Sequence, residues 1–478
     1  MWLERLEAVT PAFGTWLQHQ RRDDYWRHGL VCEDMGQITC AVFAIGGWAD
    51  GYSNAVFRLL RDLKSPRLGI VGPWGHKYPH EGIPGPAIGF LTEALRWWDH
   101  WLKGVDTGIM AEPMLRAYVQ DSIAPAAHCD LRPGRWVTEP AWPSATIGRL
   151  VYHLNPGQLD DKSGKPLPLI VSSPQTTGVT AGSWCAYATG RVAPELPVDQ
   201  RADDAYSLVF DTPPLSEPLE ILGAPIVALE LESDQPVAQA AVRLSDIGPD
   251  ERVTRVTYGV LNLTHREDHA APTPLVPGRR YRAEIKLNDV GHRFLAGHRL
   301  RVAVSTGYWP IIWPAPRQVR LTIIAGLSTL SLPVRLPRVE DAEVRFSPPE
   351  GTRSAPRKLI TSGIVRRMIS YDAATGEELI DVLMDDGRSI IESIGVETGY
   401  QYTLQYRVHP DDPTTARVES DHDILHRHTQ DWDTRIRTHC AIACTAAEFI
   451  VEADLEAFEG ERRLFSRSWT QRISRDLC

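Results

Sequence analysis

Two polar residues, Asp50 and His76, each follow a short apolar stretch of the sequence. Residues 45–51 read IGGWADG and residues 70–76 read IVGPWGH, so an aspartate follows one stretch and a histidine the next. An aspartate that orients an imidazole, and an imidazole that moves a proton, are two of the three members of a Ser-His-Asp triad. On spacing alone, a structural histidine is the more common alternative. The sequence therefore predicts a candidate acid and a candidate base.

The segments around these residues predict a parallel α/β unit. Residues 40–47 (CAVFAIGG) and 67–74 (RLGIVGPW) are typical of strands that are buried on both faces. Residues 54–63 predict a helix between them, and residues 87–104 predict a longer helix that stops at Gly104. Strand, helix, strand, helix is the element order of a parallel sheet. The second helix has an apolar stripe formed by Phe90, Leu91, Ala94, Leu95, Trp98 and Leu102.

The rest of the chain predicts β structure. Residues 124–145 are rich in Pro and Ala and are interpreted as a linker. Beyond them, apolar residues alternate with polar ones, as in antiparallel strands, and Asp386-Gly387 and Glu459-Gly460 are predicted turns. The fold class is therefore predicted to be α/β plus all-β, in which a jelly-roll β-sandwich precedes a C-terminal antiparallel region. The predicted domains are residues 1–120, 121–340 and 341–478.

Composition narrows the classes of partner and cofactor. The 478 residues carry a net charge of −10, and no run rich in Lys and Arg offers the basic face that nucleic acid needs. The seven cysteines are scattered and are interpreted as reduced structural thiols. No stretch is long and apolar enough for a membrane span, which predicts a cytoplasmic protein without a membrane partner. No Gly-rich phosphate loop is present, so no cofactor is expected.

Several motifs together resemble the cocaine esterase/X-prolyl dipeptidyl-peptidase (CocE/NonD) family of serine hydrolases. They are GGWADGYSNAV (46–56), GPWGHKYP (72–79), LRWWDHWLKG (95–104), GSWCAYATG (182–190), FLAGHRLRVAVSTGYWP (294–310) and the helical stretch WLQHQRRDDYWRHG (16–29). The resemblance spans roughly residues 10–330. It implies an α/β-hydrolase region, a galactose-binding-like jelly roll, and hydrolysis of small acyl esters, amides or X-prolyl peptides through a serine acyl-enzyme. By this match Asp50 corresponds to the triad acid and His76 to the general base.

The family's nucleophile motif is the feature that the sequence lacks. The pattern G-x-S-x-G does not occur, and GYSNA (51–55) lacks the closing glycine and is interpreted as a helix start. The chain is therefore expected to be an incomplete α/β-hydrolase, inactive alone, whose N-terminal half is a separate chain or has been lost by truncation or degeneration. Two parallel strands would leave a bare sheet edge, which predicts association with another chain or homo-oligomers. The alternative function is a non-catalytic β-sandwich binding or assembly protein.

Other residues have weaker claims to a role. Trp48 and Trp74 flank the two motif residues and are candidates for substrate binding, with packing as the alternative. His80 is a minor alternative to His76 as the base. The segment HDILHRH supplies His422, His426 and His428 at a spacing that could suit a metal, but it has no obvious carboxylate or cysteine partner and is interpreted as a turn. No metal site is therefore predicted.

Overall fold

The computed structural model describes residues 2–187, 193–428 and 431–478. The α-helices of these residues are α1 (Trp2–Ala8), α2 (Ala12–Gln18), α3 (Asp24–Arg27), α4 (Ser53–Asp62), α5 (Phe90–Lys103) and α6 (Arg201–Asp204). The strands before residue 340 are β1 (Val42–Gly47), β2 (Arg67–Gly72), β3 (Leu115–Asp121), β4 (Gly134–Glu139), β5 (Gly148–Asn155), β6 (Gln158–Asp160), β7 (Leu167–Val171), β8 (Leu208–Asp211), β9 (Leu219–Gly223), β10 (Ile226–Ser233), β11 (Gln239–Ile247), β12 (Val253–Asn262), β13 (Arg280–Lys286), β14 (Val290–Phe294), β15 (Arg299–Ser305), β16 (Leu321–Ala325) and β17 (Thr329–Val334). The later strands are β18 (Arg357–Thr361), β19 (Ile364–Tyr371), β20 (Glu378–Ile391), β21 (Val396–His409), β22 (Asp412–His428), β23 (Trp432–Cys444), β24 (Glu448–Glu459) and β25 (Arg462–Ser474).

Three parallel strands, β1 to β3, form one end of a sheet that includes all the described strands from β1 to β17. β1 pairs with β2 from Val42↔Arg67 to Gly47↔Gly72, and β2 pairs in parallel with β3. The sequence predicted only the first two of these strands. β4 then pairs with β3 in antiparallel fashion. The prediction of a linker is therefore wrong at residues 134–139, which form a strand. The alternation in RWVTE was obscured because a proline lies on either side of it. Within the described residues, β1 pairs with β2 and with no other strand.

Helix α4 crosses this sheet closely. Val56, Phe57 and Leu60 are buried against it, as the helical spacing of the apolar residues predicts. Gly69 of β2 permits the approach, because a Cβ there would lie 2.7 Å from Leu60 Cδ1. The helix begins at Ser53, which confirms that GYSNA is a helix start.

Helix α5 begins at Phe90, three residues later than predicted, and presents an unexpected face to the sheet. It ends at Gly104, which adopts the left-handed conformation at φ 69°. Its buried residues are Trp97, whose ring lies 5.2 Å from that of Phe43, and Glu93, which is bonded to Arg116 at 2.7 Å. The apolar stripe is largely exposed instead, at Leu91, Leu95, Trp98 and Leu102. The helix is therefore held by an aromatic contact and an ion pair rather than by its leucines.

In the middle of the chain the same sheet continues as curled, mainly antiparallel strands around the largest core. β10 pairs with β13, and β11 lies between β12 and β15. Alternate residues of β10 point inward, and Val227, Leu229 and Leu231 are fully buried in this core. The alternation of apolar and polar residues predicted these strands correctly.

Among the described residues, eight strands form a separate antiparallel sheet at the C-terminus, and the six from β20 to β25 are 12 to 17 residues long. From β20 to β25 each strand pairs with the next, and both β18 and β19 pair with β20. The predicted turn at Glu459-Gly460 is confirmed between β24 and β25, where Gly460 has a φ of 57°. The one at Asp386-Gly387 is wrong, because β20 continues through it with a shift in register. HDILHRH is likewise strand rather than turn, inside β22.

The N-terminal helices pack against this C-terminal sheet. Leu6 of α1 lies in a small core with Leu455 and Ala457, and α2 contributes Phe13 and Leu17 to a neighbouring one. The two ends of the chain therefore meet in the fold. No helix among the described residues is long and apolar enough to cross a membrane. All seven cysteines are free thiols.

Candidate active site

Asp50 and His76 lie side by side at the carboxyl ends of β1 and β2. The two strands are parallel neighbours in register, so the turns that follow them meet at one edge of the sheet. His76 Nδ1 lies 3.0 Å from Asp50 Oδ2. The backbone N–H of Tyr52 donates to Asp50 Oδ1 at 3.0 Å and fixes the other carboxylate oxygen. The sequence predicted this pair, and the register of the strands brings it together.

The two side chains differ in exposure. The Asp50 side chain is 11% exposed and that of His76 is 42% exposed. With Nδ1 donating to the carboxylate, Nε2 of the imidazole is the acceptor nitrogen. The carboxylate is therefore enclosed while the imidazole remains accessible, which is the arrangement that a general base requires.

A loop from the middle of the chain closes over the pair. The His76 N–H donates to the carbonyl of Ala186 at 2.6 Å, and the Tyr187 ring lies 5.0 Å from the His76 ring, edge to face. Gly51 gives this loop room, because a Cβ there would lie 2.9 Å from the Trp184 indole. The loop belongs to GSWCAYATG, whose last three residues lie outside the described part of the chain. The sequence had marked this motif only as a family feature, and nothing in its spacing tied it to the site.

Cys185 of the same loop contacts the carboxylate. Its Sγ lies 3.7 Å from Asp50 Oδ1. Potential ligand atoms of Asp50, His76 and Cys185 lie within 4.8 Å of one another, which is the geometry of a possible metal site. Burial raises the pKa of the Cys185 thiol, and the Asp50 charge raises it further. Because a metal binds the thiolate, this environment favours the protonated thiol as a hydrogen-bond donor to Asp50.

The raised pKa of Cys185 has a measurable consequence. Alkylation by iodoacetamide at pH 8, followed by peptide mass spectrometry, should modify Cys185 at least about tenfold more slowly than the exposed Cys32 and Cys40. In Asp50→Ala, Cys185 should react faster, because the charge that opposes thiolate formation is gone. Equal rates at the three cysteines in the unaltered chain would contradict this account.

The two candidate substrate tryptophans have different positions. Trp74 is 1% exposed and its indole N–H donates to the carbonyl of Gly46 at 3.0 Å, which favours the packing alternative. Trp48 is partly buried, donates to the carbonyl of Tyr118 at 2.6 Å and stacks on Phe57. Trp48 also lines a cavity of about 130 Å³ that reaches Asp50. Only Trp48 thus borders open space beside the pair.

The other histidines lie apart from the Asp50–His76 pair. His80, the alternative base, stacks on Phe90 with 6.0 Å between ring centroids. The histidine that contacts Asp50 is His76. His422, His426 and His428 lie along β22. His422 contacts Tyr400 at 3.1 Å through Nδ1, and His428 pairs with Asp431 at 3.0 Å. Within the described ranges, these three histidines are not part of a possible metal-binding group.

No serine or threonine hydroxyl is hydrogen-bonded to His76 within the described part of the chain. There, the only side-chain hydrogen bond of His76 is the one to Asp50. Tyr52 and Tyr187 contact the imidazole through their rings, with centroids 5.6 Å and 5.0 Å away. The geometry is therefore that of a carboxylate–imidazole pair in which Nδ1 contacts Asp50 and the imidazole is 42% exposed.

Comparison with known proteins defines the class. The family model described as the X-Pro dipeptidyl-peptidase (S15 family) matches residues 1–78, and the X-Pro dipeptidyl-peptidase C-terminal non-catalytic domain matches residues 107–332. The chain belongs to this family, which includes the CocE/NonD hydrolases. Both matched ranges end before residue 340, so β18 to β25 lie outside them.

Individual relatives agree with this assignment. A protein named "Putative serine esterase" from Mycobacterium tuberculosis is 28% identical over 311 residues, which cover 59% of this chain and 46% of that protein. Cocaine esterase from Rhodococcus is 24% identical over 323 residues, covering 62% of this chain and 53% of the relative. The chain spans about half the length of the curated relatives it matches. A CocE/NonD family hydrolase structure from Staphylococcus aureus has a TM-score of 0.53 at 15% identity, covering 69% of this chain and 59% of that one, and shares the fold.

Proposed function

We propose that this chain supplies the acid and the base of a CocE/NonD-type serine hydrolase that cleaves small acyl esters, amides or X-prolyl peptide bonds. The observation that carries the proposal is the 3.0 Å contact between Asp50 and His76 beneath an accessible imidazole edge. Family membership supports the reaction class, since a cocaine esterase and an X-Pro dipeptidyl-peptidase model are among the matches.

The roles of the two residues follow from their geometry. His76 Nε2 accepts the proton of a serine hydroxyl as that hydroxyl attacks the substrate carbonyl, and returns it to the leaving alcohol or amine. Asp50 holds the imidazole in the tautomer with Nδ1 protonated and stabilises the imidazolium that forms. A water molecule, activated by the same imidazole, then hydrolyses the acyl-enzyme. Trp48 is the residue proposed to contact substrate in the cavity beside Asp50.

The serine is proposed to come from polypeptide that is not in this sequence. Three observations support this: the sequence has no G-x-S-x-G pattern, no described hydroxyl is bonded to His76, and the curated relatives are about twice as long as the matched region. The complementary polypeptide would dock on an assembly face, formed by the free edge of β1 and the exposed stripe of α5. Parallel strands are normally covered on both sides and paired at both edges, which this face is not.

Complementation tests the proposal directly. The chain is produced alone and together with the coding region upstream of it, and each preparation is assayed with p-nitrophenyl acetate and an X-prolyl p-nitroanilide. Only the combination should hydrolyse either substrate. Hydrolysis by the chain alone would contradict the proposal that the nucleophilic serine comes from another polypeptide. A stable complex without activity would favour the alternative, a non-catalytic β-sandwich binding or assembly protein.

Labelling by a fluorophosphonate probe gives an independent prediction. Because an activated serine is needed for phosphonylation, the chain alone should remain unlabelled under conditions that label a control serine esterase to completion. Intact-protein mass spectrometry measures the adduct. In the complemented preparation, the adduct should appear on the other polypeptide. Stoichiometric labelling of any serine of this chain would overturn the proposed division of roles.

A further inference from the structure

A second cavity, of about 250 Å³, lies between the loop that covers His76 and the C-terminal sheet. Trp184 and Tyr187 line it from the loop, Ile311 lines it from the middle of the chain, and Met384 and Tyr402 line it from β20 and β21. The C-terminal sheet lies outside both family matches. This part of the chain therefore adds a wall to the site that the matched region does not provide.

Two adjacent arginines, Arg366 and Arg367, line this cavity, and they differ in their partners. In the register of the sheet, Arg367 of β19 pairs with Val382, and Val382 pairs with Leu404. Side chains at paired positions lie on the same face of a sheet, so Arg367 shares its face with apolar residues of the next two strands. All three residues line the cavity.

The Arg367 guanidinium is held by neutral acceptors rather than by a direct ion pair in the described residues. It donates to Ser183 Oγ and to the carbonyl of Gly182, each at 3.2 Å. In the described ranges, no carboxylate oxygen lies within 4.0 Å of its nitrogens. Burial lowers the pKa of Arg367, because the charged form is removed from water. A cation held by two neutral acceptors is stabilised when an anion binds beside it.

The two nearby charged residues are already engaged. Glu195 also lines the cavity, and its Oε1 accepts from the Tyr187 N–H at 3.2 Å. Its charge raises the pKa of Arg367 and so favours the cation. Arg366, the neighbour in sequence, is bonded to Asp381 at 2.7 Å. Of the two adjacent arginines, Arg367 is therefore the one that can receive an anion.

The cavity adjoins the candidate active site. Tyr187 lines it and contacts the His76 ring at 5.0 Å. Cys185 lines it as well and contacts Asp50 at 3.7 Å. A molecule that fills the cavity would thus be separated from the acid–base pair only by the side chains of Tyr187 and Cys185.

We propose that this cavity is a subsite for a free carboxylate on the substrate, bound by Arg367, with the apolar body of the substrate against Tyr402, Tyr406 and Met384. Arginine presents a planar fork of N–H donors that matches a carboxylate. The hydrolase would then prefer esters or amides whose acyl part ends in a second, free carboxylate. The link to catalysis rests on the proposed function of His76, whereas the binding step does not.

Binding of benzoate and of its neutral analogue benzamide to the full chain tests the subsite without any catalysis. Calorimetry should detect benzoate binding, and Arg367→Gln should weaken it by about ten- to a hundredfold while leaving benzamide binding unchanged. Arg367→Lys, which keeps the charge but not the fork, should give an intermediate affinity. The matched control, Arg366→Gln, should bind benzoate like the unaltered chain. Circular dichroism verifies that each variant is folded.

The outcomes separate the two proposals. Absence of benzoate binding, or equal benzoate affinity in Arg367→Gln, would overturn the subsite. In the complemented hydrolase, Arg367→Gln should raise KM about tenfold or more for mono-p-nitrophenyl succinate and leave KM for p-nitrophenyl butyrate unchanged. Normal benzoate binding together with no hydrolysis in any preparation would support the subsite and contradict the proposed function.

Discussion

In the complemented hydrolase, Asp50→Asn should lower kcat by roughly 10³- to 10⁴-fold, because the amide no longer enforces the tautomer with Nδ1 protonated. The substitution keeps the size of a side chain that is 11% exposed and changes only its charge and hydrogen bonding. The measurement is steady-state hydrolysis of p-nitrophenyl acetate. KM should change little, since the carboxylate contacts the imidazole rather than the substrate.

His76→Ala should remove activity to a similar extent, because the proton of the nucleophile then has no acceptor. Two matched controls lie close in sequence. Asp62→Asn alters a partly exposed aspartate that pairs with Arg61 on α4, and His80→Ala alters the histidine that stacks on Phe90. Both should retain kcat within about twofold. Activity that survives His76→Ala but not His80→Ala would make His80 the base.

The largest effect on stability is expected at Arg335. Its side chain is 1% exposed and reaches three acidic groups: Glu139 at 2.7 Å, Glu220 at 3.0 Å and Asp341 at 2.6 Å. Burial alone would lower the pKa of Arg335, but its hydrogen bonds to Asp341 and Glu139 raise it above the ordinary value. Arg335→Met would leave these buried carboxylates without their shared cation. Breaking a buried ion pair in this way costs about 3–5 kcal/mol of unfolding free energy.

Urea denaturation at pH 7 measures this loss. Arg280→Met is the matched control, because Arg280 is 52% exposed and pairs with Glu232 at 3.5 Å. An exposed pair contributes at most about 1 kcal/mol. An Arg335→Met chain as stable as the Arg280→Met chain would contradict the structural role of the network.

The ion-pair network around Arg335 also predicts that the free energy of unfolding depends on pH. Burial would raise the pKa of Asp341, but the hydrogen bond from Arg335 lowers it below the ordinary 3.8 overall. A depressed folded-state pKa gives stability that is present above the unfolded value and is lost as pH falls through the folded value. The unaltered chain should therefore lose this contribution below about pH 4. In Arg335→Met the carboxylates would bind protons more readily, so the gap between the two proteins should narrow as pH falls.

Local patterns predicted much of the architecture. The apolar stretches that became β1 and β2, the helix start at Ser53 and the stop at Gly104 depend on residues that are adjacent in sequence. The predicted antiparallel strands, such as β10 and β15, follow from alternation of period two. The errors arose where the signal was interrupted. Prolines obscured β4, and a turn-like Asp-Gly pair sits within β20, which continues through a shift in register.

The sequence by itself determined that an aspartate and a histidine end neighbouring parallel strands, because strand runs, turn residues and motif order are properties of short segments. Only the tertiary structure decided what surrounds them. The covering loop with Cys185 and Tyr187, and the meeting of Arg367 with that loop, join residues more than a hundred positions apart. Such contacts depend on how separate sheets pack, and packing is set by shape and burial that no local pattern encodes.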